Sequence, residues 1–441
     1  MKLNWSNIPF APARLPFFYG WVLLGVATIG IVCSIPGQTM GVGIFTDALI
    51  DVLGLTRSEL SLAYALGTIG SGLFLTRAGK GVDRFGIRPM AVMSSVGLGF
   101  SLIFLANLPA ISAAIPFRGT LAPMLAVFFC FLFLRFFGQG CLTMVSRVAI
   151  GKWFNRYRGR AVAIMGVFTA FSFNSSPSFL NYLLNAHGWQ GAAVVLAAIT
   201  GLGMTAVALL FFRDTPEACG LPMDGIKLPE NGDPPPGGFT AEPRAFTLAE
   251  ARRTLAFWAY TAAPAAQGLV MTAITFHMAS LGAEAGLDRA AAYAVFVPMA
   301  FFSVGANVVG GWLSDRIHLK WLLGFMMAMQ MVGMAGLADL GSPIGRWAFI
   351  LGHGFAGGLF ATMSTVPFPR FYGRRHLGAI SGLSMSVMVY ASAAGPYLFS
   401  KGHDLFGSYR AVTLGCLVLP AIIALLGWIA RNPQETCPDP S

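Results

Sequence analysis

Long apolar runs recur along this chain and restrict its fold more than any other feature. One of them, Leu121–Leu134, reads LAPMLAVFFCFLFL. The runs have roughly 18 to 30 residues, which is long enough for a helix to cross the hydrocarbon core of a bilayer. Only helices and closed barrels satisfy every backbone hydrogen bond in lipid, and the alternating pattern of barrel strands does not occur in the sequence. We therefore expect an all-α polytopic membrane protein.

The runs predict twelve transmembrane helices, numbered here as spans 1 to 12. The stretch between spans 6 and 7 contains NGDPPPGGFTAEP, which is too polar and too rich in proline to bury a core. We expect a six-helix bundle over residues 1–212, a mostly flexible cytoplasmic linker over 213–253 with a short helix near Leu248–Arg253, a second six-helix bundle over 254–431 and a cytoplasmic tail over 432–441. The twelve spans are predicted near residues 17–48, 58–78, 88–107, 121–148, 160–185, 189–212, 255–281, 288–313, 319–338, 343–368, 376–400 and 410–430.

The charged residues, which make up 11% of the chain, predict its orientation in the membrane. The net charge is +11, but no basic run is longer than two residues, so we expect no nucleic-acid partner. Basic residues concentrate in cytoplasmic loops of membrane proteins. With the N-terminus inside, the outer loops hold only a minority of them: Arg57, Arg118, Arg289, Arg346, Lys401 and Arg410. We expect both termini in the cytoplasm and the chain in a bacterial inner membrane.

The sequence predicts neither a cofactor nor an enzyme. The six cysteines form no CxxC pair and do not pair with histidines, so disulfides and a metal site are not expected. The first apolar run is too long for a signal peptide and lacks a small-residue cleavage site. Clustered Ser/His/Asp or Cys/His arrangements and phosphate-binding loops are also missing from the sequence. We expect a monomer whose partners are the lipid bilayer, a small anion and protons.

The two halves of the chain share internal landmarks. GKGVDR at Gly79–Arg84 follows span 2, and GWLSDR at Gly311–Arg316 follows span 8. Two pseudo-symmetric six-helix halves, with a binding site near the midplane at their interface, are typical of secondary transporters. The alternative is chance similarity between two apolar halves. Further identical pairs lie 219 positions apart: Gly159 and Gly378, Pro177 and Pro396, Gly188 and Gly407, and Ala192 and Ala411.

These motifs resemble those of the major facilitator superfamily. Arg135-x-x-x-Gln139-Gly140 is similar to the fourth-helix Arg–Gly motif of many proton-coupled members. The resemblance covers the whole chain and implies the major facilitator fold. Two segments resemble the signature loop of the superfamily: Gly79-x-x-x-Asp83-Arg84-x-Gly86-x-Arg88 and, without the later glycine, Gly311-x-x-x-Asp315-Arg316.

Within the superfamily, the chain resembles the oxalate/formate-exchanger and monocarboxylate-transporter group, which implies a small carboxylate as substrate. Members of that group commonly place a basic residue in helix 8 or helix 11. This chain has none in the middle of span 8 or span 11. The resembling segments are Phe18-Tyr19-Gly20-Trp21, Trp153-Phe154 with Arg158-Gly159, and Pro216-Glu217 with Gly220-Leu221.

The signature-loop residues are expected to control conformational change. A carboxylate at the end of span 2, such as Asp83, can accept hydrogen bonds from a neighbouring helix N-terminus or pair with an arginine. Glycines at 79 and 86 allow a tight turn and close helix approach. The alternative is that the basic residues only fix the orientation. The resemblance implies a clasp that holds the cytoplasmic side shut, formed by Gly79, Asp83, Arg84, Gly86, Arg88, Gly311, Asp315 and Arg316.

Arg135 is the only permanent charge in the interior of the predicted spans. An arginine at the bilayer centre costs about 2.5–3.5 kcal/mol on insertion scales, so it is expected to face a cavity or a partner. It either binds an anionic substrate through its forked N–H groups or serves a proton-coupling step, as the resembling motif is thought to do. The alternative is a structural arginine bonded to helix carbonyls. Because every Asp and Glu lies outside the predicted spans or at their edges, the sequence favours an anionic substrate.

Two histidines lie inside predicted spans, His277 in span 7 and His353 in span 10. Histidine is the residue type whose ordinary pKa lies near physiological pH. The 219-residue offset maps His353 onto Leu134, beside Arg135, and predicts that it faces the same cavity. We expect the pair to serve proton coupling or substrate contact; the alternative for each is a structural role.

The polar residues of the spans complete the predicted substrate site. Pro36 and Pro177 are expected to interrupt helical hydrogen bonding and free backbone groups there. For each polar residue the alternative is helix–helix contact. The candidates for substrate binding are Arg135, Gln38, Gln139, Asn174, His277, Asn307, His353 and Tyr390.

The sequence therefore predicts a secondary active transporter that moves a small organic anion, a monocarboxylate or dicarboxylate, by alternating access. Transport is expected to be proton symport or anion exchange. One alternative is a proton-driven exporter of drugs or metabolites with the same fold, although the missing membrane carboxylates argue against cationic drugs. The other is a non-transporting membrane sensor or enzyme, which no motif in the sequence supports.

Overall fold

The structure, a computed structural model, describes residues 8–117, 119–226 and 244–436. Part of the predicted linker, residues 227–243, lies outside these ranges, as do Arg118 and the end of the tail. All regular secondary structure within the described ranges is helical. The short helix expected in the linker forms at Leu248–Ala251, where Thr247 and Glu250 cap its first turn reciprocally.

In the described part of the chain, nine helical segments are long and apolar enough to cross a membrane. One of them, Arg158–Phe211, holds spans 5 and 6, because Gly188 interrupts it with a φ of 67°. Arg57–Phe85 and Leu255–Glu284 are less apolar but 29 and 30 residues long, and they provide spans 2 and 7. The remaining spans are Gly20–Gly43, Ile87–Ala106, Leu121–Trp153, Arg289–Ser314, Leu319–Ala338, Pro343–Tyr372, Leu377–Phe406 and Tyr409–Glu435. The predicted all-α polytopic fold is confirmed.

The chain divides into two compact units. Unit 1 contains Met1–Asn155, Phe168–Pro235 and Ser381–Ser386, whereas unit 2 contains Arg156–Val167, Pro236–Ile380 and Val387–Ser441. Unit 2 includes the start of span 5, and unit 1 includes a short segment near the start of span 11. Close backbone packing explains both assignments: Gly159 lies against Gly311 in unit 2, and Gly382 lies against Gly79 in unit 1.

Span 1 and span 4 of unit 1 each depart from α-helical geometry. Span 1 is interrupted by a 3₁₀ turn at Ile35–Gly37, after which a short helix runs over Thr39–Gly43. Span 4 widens into a π-helical segment at Arg135–Leu142. Such widened turns are frequent at functional sites. Both irregular segments lie at the polar candidates Gln38 and Arg135.

Unit 2 packs through small residues and a separate apolar core. Gly333 of span 9 and Gly352 of span 10 let the two backbones approach so closely that a Cβ on Gly352 would lie 2.5 Å from the Cα of Gly333. Small residues allow this close packing in membranes, where the hydrophobic effect does not drive helices together. The core includes Ile274, Met278, Met334, Phe349 and Phe399.

Candidate functional site

The Arg135 site is formed where the interrupted part of span 1 meets the widened part of span 4. Pro36 has no backbone N–H, so the expected interruption of the helix occurs in the turn that contains it. Gly37 then packs against span 4, where a Cβ on it would lie 2.8 Å from the Cα of Gly138 and even closer to the carbonyl oxygen of Leu134. The turn thereby brings the following polar residues next to Arg135.

Arg135 itself is buried, with only 2% of its surface exposed. Its Nη1 donates to Thr39 Oγ1 at 3.2 Å and, more weakly, to the Gly37 carbonyl oxygen at 3.4 Å. The guanidinium carbon lies 5.4 Å from the ring centroid of Tyr64, whose hydroxyl also donates to Thr39 Oγ1 at 3.0 Å. This is within cation–π distance. Thr39 is exposed, so the hydrogen-bond network of Arg135 reaches accessible surface.

The hydrogen bonding of the Arg135 guanidinium is incomplete. Its Nε is buried and has no hydrogen-bond partner among the described residues. No carboxylate within the described ranges pairs with it. Leaving a buried charge without a compensating charge is strongly unfavourable. An anion that accepts hydrogen bonds from the guanidinium would remove that penalty.

A second polar cluster continues from the same turn. Gln38 Nε2 donates to Ser34 Oγ at 3.1 Å, and Thr143 Oγ1 donates to the same oxygen at 3.1 Å. Gln38 therefore adjoins the Arg135 network through its chain neighbours. Gln139 is half-buried, and its Oε1 has no hydrogen-bond partner in the described part of the chain.

The sequence alone did not identify four polar residues of this region: Ser34, Thr39, Tyr64 and Thr143. Thr39 directly follows Gln38 in the interrupted segment. Its position next to a predicted site residue was the best indication in the sequence that it belongs to the site. The others are single polar residues in apolar runs. Asn174, a predicted candidate in span 5, is exposed. The proline at position 177 has no N–H to donate to the nearby carbonyl of Phe173. That carbonyl instead accepts from the Ser176 hydroxyl at 2.8 Å.

Of the candidates in unit 2, His353 lies in a tightly packed position. It is 1% exposed, its ring lies 5.1 Å from that of Phe349, and it packs against Gly333 of span 9. Neither of its ring nitrogens has a hydrogen-bond partner among the residues that the structure describes. Its surroundings are those of a packed core position.

His277 lies in a polar setting near the end of span 7. Its Nε2 lies 3.0 Å from the Pro396 carbonyl oxygen, and its Nδ1 lies 3.2 Å from the Tyr409 hydroxyl. Because a carbonyl only accepts, Nε2 carries the proton and Nδ1 of the neutral ring accepts from Tyr409. A second histidine, His403, stacks on Tyr409 with 4.4 Å between ring centroids.

Asn307 and Tyr390 complete the candidates of unit 2. Asn307 Nδ2 donates to the Ala163 carbonyl oxygen at 2.8 Å, which links span 8 to the start of span 5. Its Oδ1 is buried and has no partner within the described ranges. Tyr390 is half-buried in span 11.

The first signature loop is mostly helical. Span 2 continues to Phe85, so Gly79, Asp83 and Arg84 lie within it, and the chain turns only at Gly86, with a φ of 91°. Gly79 serves close helix approach instead of a turn. Arg84 packs over the ring of Phe85 at 5.2 Å.

Arg88, the last residue of that motif, anchors the start of span 3. It donates to the carbonyl oxygens of Phe212 and Ile8, at 2.9 and 2.6 Å. The adjacent helix N-terminus is capped by Asp214, whose Oδ1 accepts from the Ile87 N–H at 3.1 Å and from Lys152 Nζ at 3.2 Å. Asp214, which was not among the predicted residues, thus makes a contact of the kind expected for Asp83.

The second signature loop places Asp315 at the start of span 5. Its two carboxylate oxygens accept from the backbone N–H groups of Gly159, at 2.7 Å, and Arg160, at 3.1 Å. A carboxylate at a helix N-terminus also interacts favourably with the helix dipole. Burial nevertheless raises the pKa of Asp315 above its usual value, and the two N–H donors oppose that rise only in part. Arg316 packs over the ring of Trp312 at 3.7 Å.

Comparisons with known proteins agree on the class of protein. The family model described as Major Facilitator Superfamily matches residues 27–396. Human Monocarboxylate transporter 11 is 25% identical over 404 residues, which cover 87% of this chain and 76% of that protein. Bos taurus Monocarboxylate transporter 13 is 26% identical over 297 residues, covering 64% of this chain and 63% of that protein.

Solved structures support the same fold. The human organic anion transporter MFSD10 (TETRAN) superposes with a TM-score of 0.64 at 16% identity, covering 94% of this chain and 100% of that one. The proton:xylose symporter XylE gives a TM-score of 0.66 at 13% identity, covering 95% and 98%. Since these proteins carry different kinds of substrate, the likeness extends to the fold only.

Proposed function

Because this chain belongs to the Major Facilitator Superfamily, and is thus an integral membrane transporter of a small substrate and not an enzyme, we propose that the substrate is a small organic anion, a monocarboxylate or dicarboxylate. The observation that carries the proposal is the buried guanidinium of Arg135, with an unpaired Nε and no paired carboxylate in the described part of the chain. The names of the relatives at 25% and 26% identity favour the same substrate class.

The charge of the site favours an anion over a cation or a neutral solute. A guanidinium binds a carboxylate through two parallel N–H bonds, which are stronger than neutral hydrogen bonds. Thr39 and Tyr64 hold the guanidinium on one side, so the fork is fixed before the anion arrives. Gln38 and Gln139 supply amide groups near it for the rest of a small substrate, whereas Asn174, Asn307 and Tyr390 would act from spans 5, 8 and 11.

Transport is proton symport or anion exchange, and His277 is the stronger candidate for proton coupling. Protonation of its Nδ1 would force the Tyr409 hydroxyl to turn from donor to acceptor, which changes a contact between span 7 and the start of span 12. His353 stays the second candidate, with no hydrogen-bond partner among the described residues to hold a proton in place.

The conformational cycle would use the signature-loop residues. Asp315 holds the start of span 5 in unit 2, although the rest of span 5 belongs to unit 1. Release of this contact would free that segment when the transporter changes state. Gly79, Asp83, Arg84, Gly86, Arg88, Gly311 and Arg316 are proposed to act in the same step. The proposed setting is a monomer in a bacterial inner membrane with both termini in the cytoplasm.

The test is carboxylate uptake into liposomes that contain the purified protein. Labelled lactate, oxalate and succinate are the probes, and each variant is first shown to unfold at a temperature similar to that of the parent. Arg135→Ala is expected to reduce uptake at least about 30-fold, the usual effect of truncating one member of a buried charged pair. Arg135→Lys keeps the charge but loses the fork and is expected to restore uptake only in part.

The matched control is Arg346→Ala, which removes a charge from the first turn of span 10. It is expected to leave uptake unchanged. Full uptake by Arg135→Ala would overturn the anion-site proposal. Transport that lipophilic cations inhibit and carboxylates do not would instead support a drug exporter of the same fold.

A further inference from the structure

Unit 2 contains an apolar groove that the transport proposal does not use. It has a volume of about 490 Å³ and lies along spans 8, 9 and 10. Every residue that lines it is apolar or glycine. Phe302 and Leu313 of span 8, Trp321 and Phe325 of span 9 and Phe355 of span 10 are among them.

Several of the lining side chains are accessible on the outside of the helices. Phe301 is 78% exposed, Val309 55% and Trp321 53%. Accessible aromatic and aliphatic surface on a membrane-spanning helix is chemically matched to hydrocarbon. The groove therefore has the lining that a lipid acyl chain requires.

The length of the groove matches one leaflet of a bilayer. Span 8 runs along it from Phe301 to Leu313, which is about 18 Å at a rise of 1.5 Å per residue. Half of a hydrocarbon core is about 15 Å. At the Leu313 end, Trp321 meets Trp428 with ring centroids 4.9 Å apart, and tryptophans concentrate at the membrane–water interface. The groove thus extends from one interface towards the middle of the membrane.

Two basic residues are chain neighbours of groove-lining residues at the interfacial end, Arg316 next to Ile317 and Lys320 next to Trp321. Arg316 is exposed and packs over Trp312, 3.7 Å from its ring centroid. The Nζ of Lys320 lies 6.0 Å from the ring centroid of Trp321, which lines the groove. Neither forms a salt bridge within the described ranges. The neighbouring carboxylate, Asp315, is already bonded to the N–H groups of Gly159 and Arg160.

We propose that this groove is a binding site for an anionic phospholipid, with one acyl chain along spans 8 to 10 and the phosphate of the headgroup between Arg316 and Lys320. Long basic side chains at an interface attract anionic headgroups. The predicted orientation places this loop on the cytoplasmic side, where the leaflet is negatively charged. The site is independent of the Arg135 region, which lies in unit 1.

The test is lipid retention by the purified full-length protein, measured by native mass spectrometry. The protein is stripped of lipid in detergent and incubated with equal amounts of dioleoyl phosphatidylglycerol and dioleoyl phosphatidylcholine. The parent is expected to retain phosphatidylglycerol preferentially. Lys320→Gln combined with Arg316→Gln is expected to weaken that binding roughly five-fold for each charge removed and to leave phosphatidylcholine unchanged.

The groove itself is tested by filling it. A Cβ on Gly305, which lines the groove, or on Gly324, which does not, would meet no atom within 4 Å, so both positions have room for a side chain. Gly305→Leu is expected to reduce retention of phosphatidylglycerol, whereas Gly324→Leu and the charge control Arg346→Gln are expected to retain it. Equal retention of the two lipids by the parent, or unchanged retention by Gly305→Leu, would overturn the proposal. A dimer that Gly305→Leu dissociates would show that a second copy of the chain covers the groove instead.

Discussion

The Asp315 carboxylate accepts hydrogen bonds from a helix N-terminus, yet burial disfavours its charged form. It satisfies two N–H groups at the start of span 5, yet burial raises its pKa above the usual value. A carboxyl group with a raised pKa binds its proton more tightly in the folded state than in the unfolded chain. Stability must then fall as the pH rises from the ordinary aspartate pKa through the raised one.

Replacement of Asp315 by asparagine should remove this pH dependence. Asp315→Asn keeps an oxygen acceptor without the charge, so its melting temperature should lack the fall that the parent shows between about pH 4 and its raised pKa. Asp315→Ala leaves two helix N–H groups unpaired and should cost about 1–3 kcal/mol below about pH 4, where the parent is most stable. Thermal unfolding in detergent across this pH range is the measurement. Parallel pH profiles for the parent and Asp315→Asn would contradict the assignment.

Single residues differed in how well the sequence predicted them. Arg135 was identifiable because a lone charge in an apolar run is costly, and its burial agrees with that reasoning. Tyr64 and Thr39 were not identified, because their contact with Arg135 depends on which faces of three helices meet. His353 was expected to face a cavity from the sequence offset alone, but the offset does not determine the rotation of span 10, and the side chain packs against Gly333.

At the scale of elements, the crossing of spans 1 and 4 depends on two glycines. A Cβ on Gly37 would lie 2.8 Å from the Cα of Gly138, so the backbones approach without room for a methyl group. The contact fixes the turn at Ile35–Gly37 and thereby the positions of Gln38 and Thr39 beside the π-helical segment.

Gly37→Ala should therefore impair both stability and substrate binding. Overpacking of this kind costs about 1–3 kcal/mol, and any shift of the turn moves Thr39 away from Arg135. The matched control is Gly43→Ala in the next helical turn, where a Cβ would meet no atom within 4 Å. Unfolding temperature and the thermal shift produced by added carboxylate measure the two effects. Equal behaviour of the two variants would show that the crossing is not tight.

The sequence predicted the spans better than their internal irregularities. Apolar length determines whether a helix can cross the membrane, so each predicted span corresponds to a long helical segment in the described ranges. Pro36 indicated the interruption in span 1. Nothing in the residues Arg135–Leu142 indicated a π-helical segment, because no local sequence pattern distinguishes that geometry from an α-helix. The helical extension of span 2 to Phe85 was also missed, since Gly79 suggested a turn that the structure places at Gly86.

For the whole molecule, the division into units depends on contacts that a linear reading does not give. The linker position predicted two bundles, but Arg156–Val167 and Ser381–Ser386 each belong to the unit of the other half. Each segment contains a glycine in close backbone contact with the unit to which the segment belongs. These glycines are Gly159 in the first segment and Gly382 in the second. Long-range packing between small residues has no signature in local composition. The assignment of these two segments to the other unit could therefore not be predicted, whereas the spans could.

Orientation in the membrane is the prediction that concerns the entire chain. The basic residues predict that the loop after span 6 lies inside and the loop after span 7 outside. Ala218 and Ala283 lie near these two points and are both exposed, so each accepts cysteine without disturbing a core. In a cysteine-free background, a membrane-impermeant maleimide should label Ala283→Cys on intact cells and Ala218→Cys only after permeabilisation. The reverse pattern would show that the chain has the opposite orientation. Arg316 and Lys320 would then face the outer leaflet. The matched substitutions make labelling depend on sidedness and not on the residue replaced.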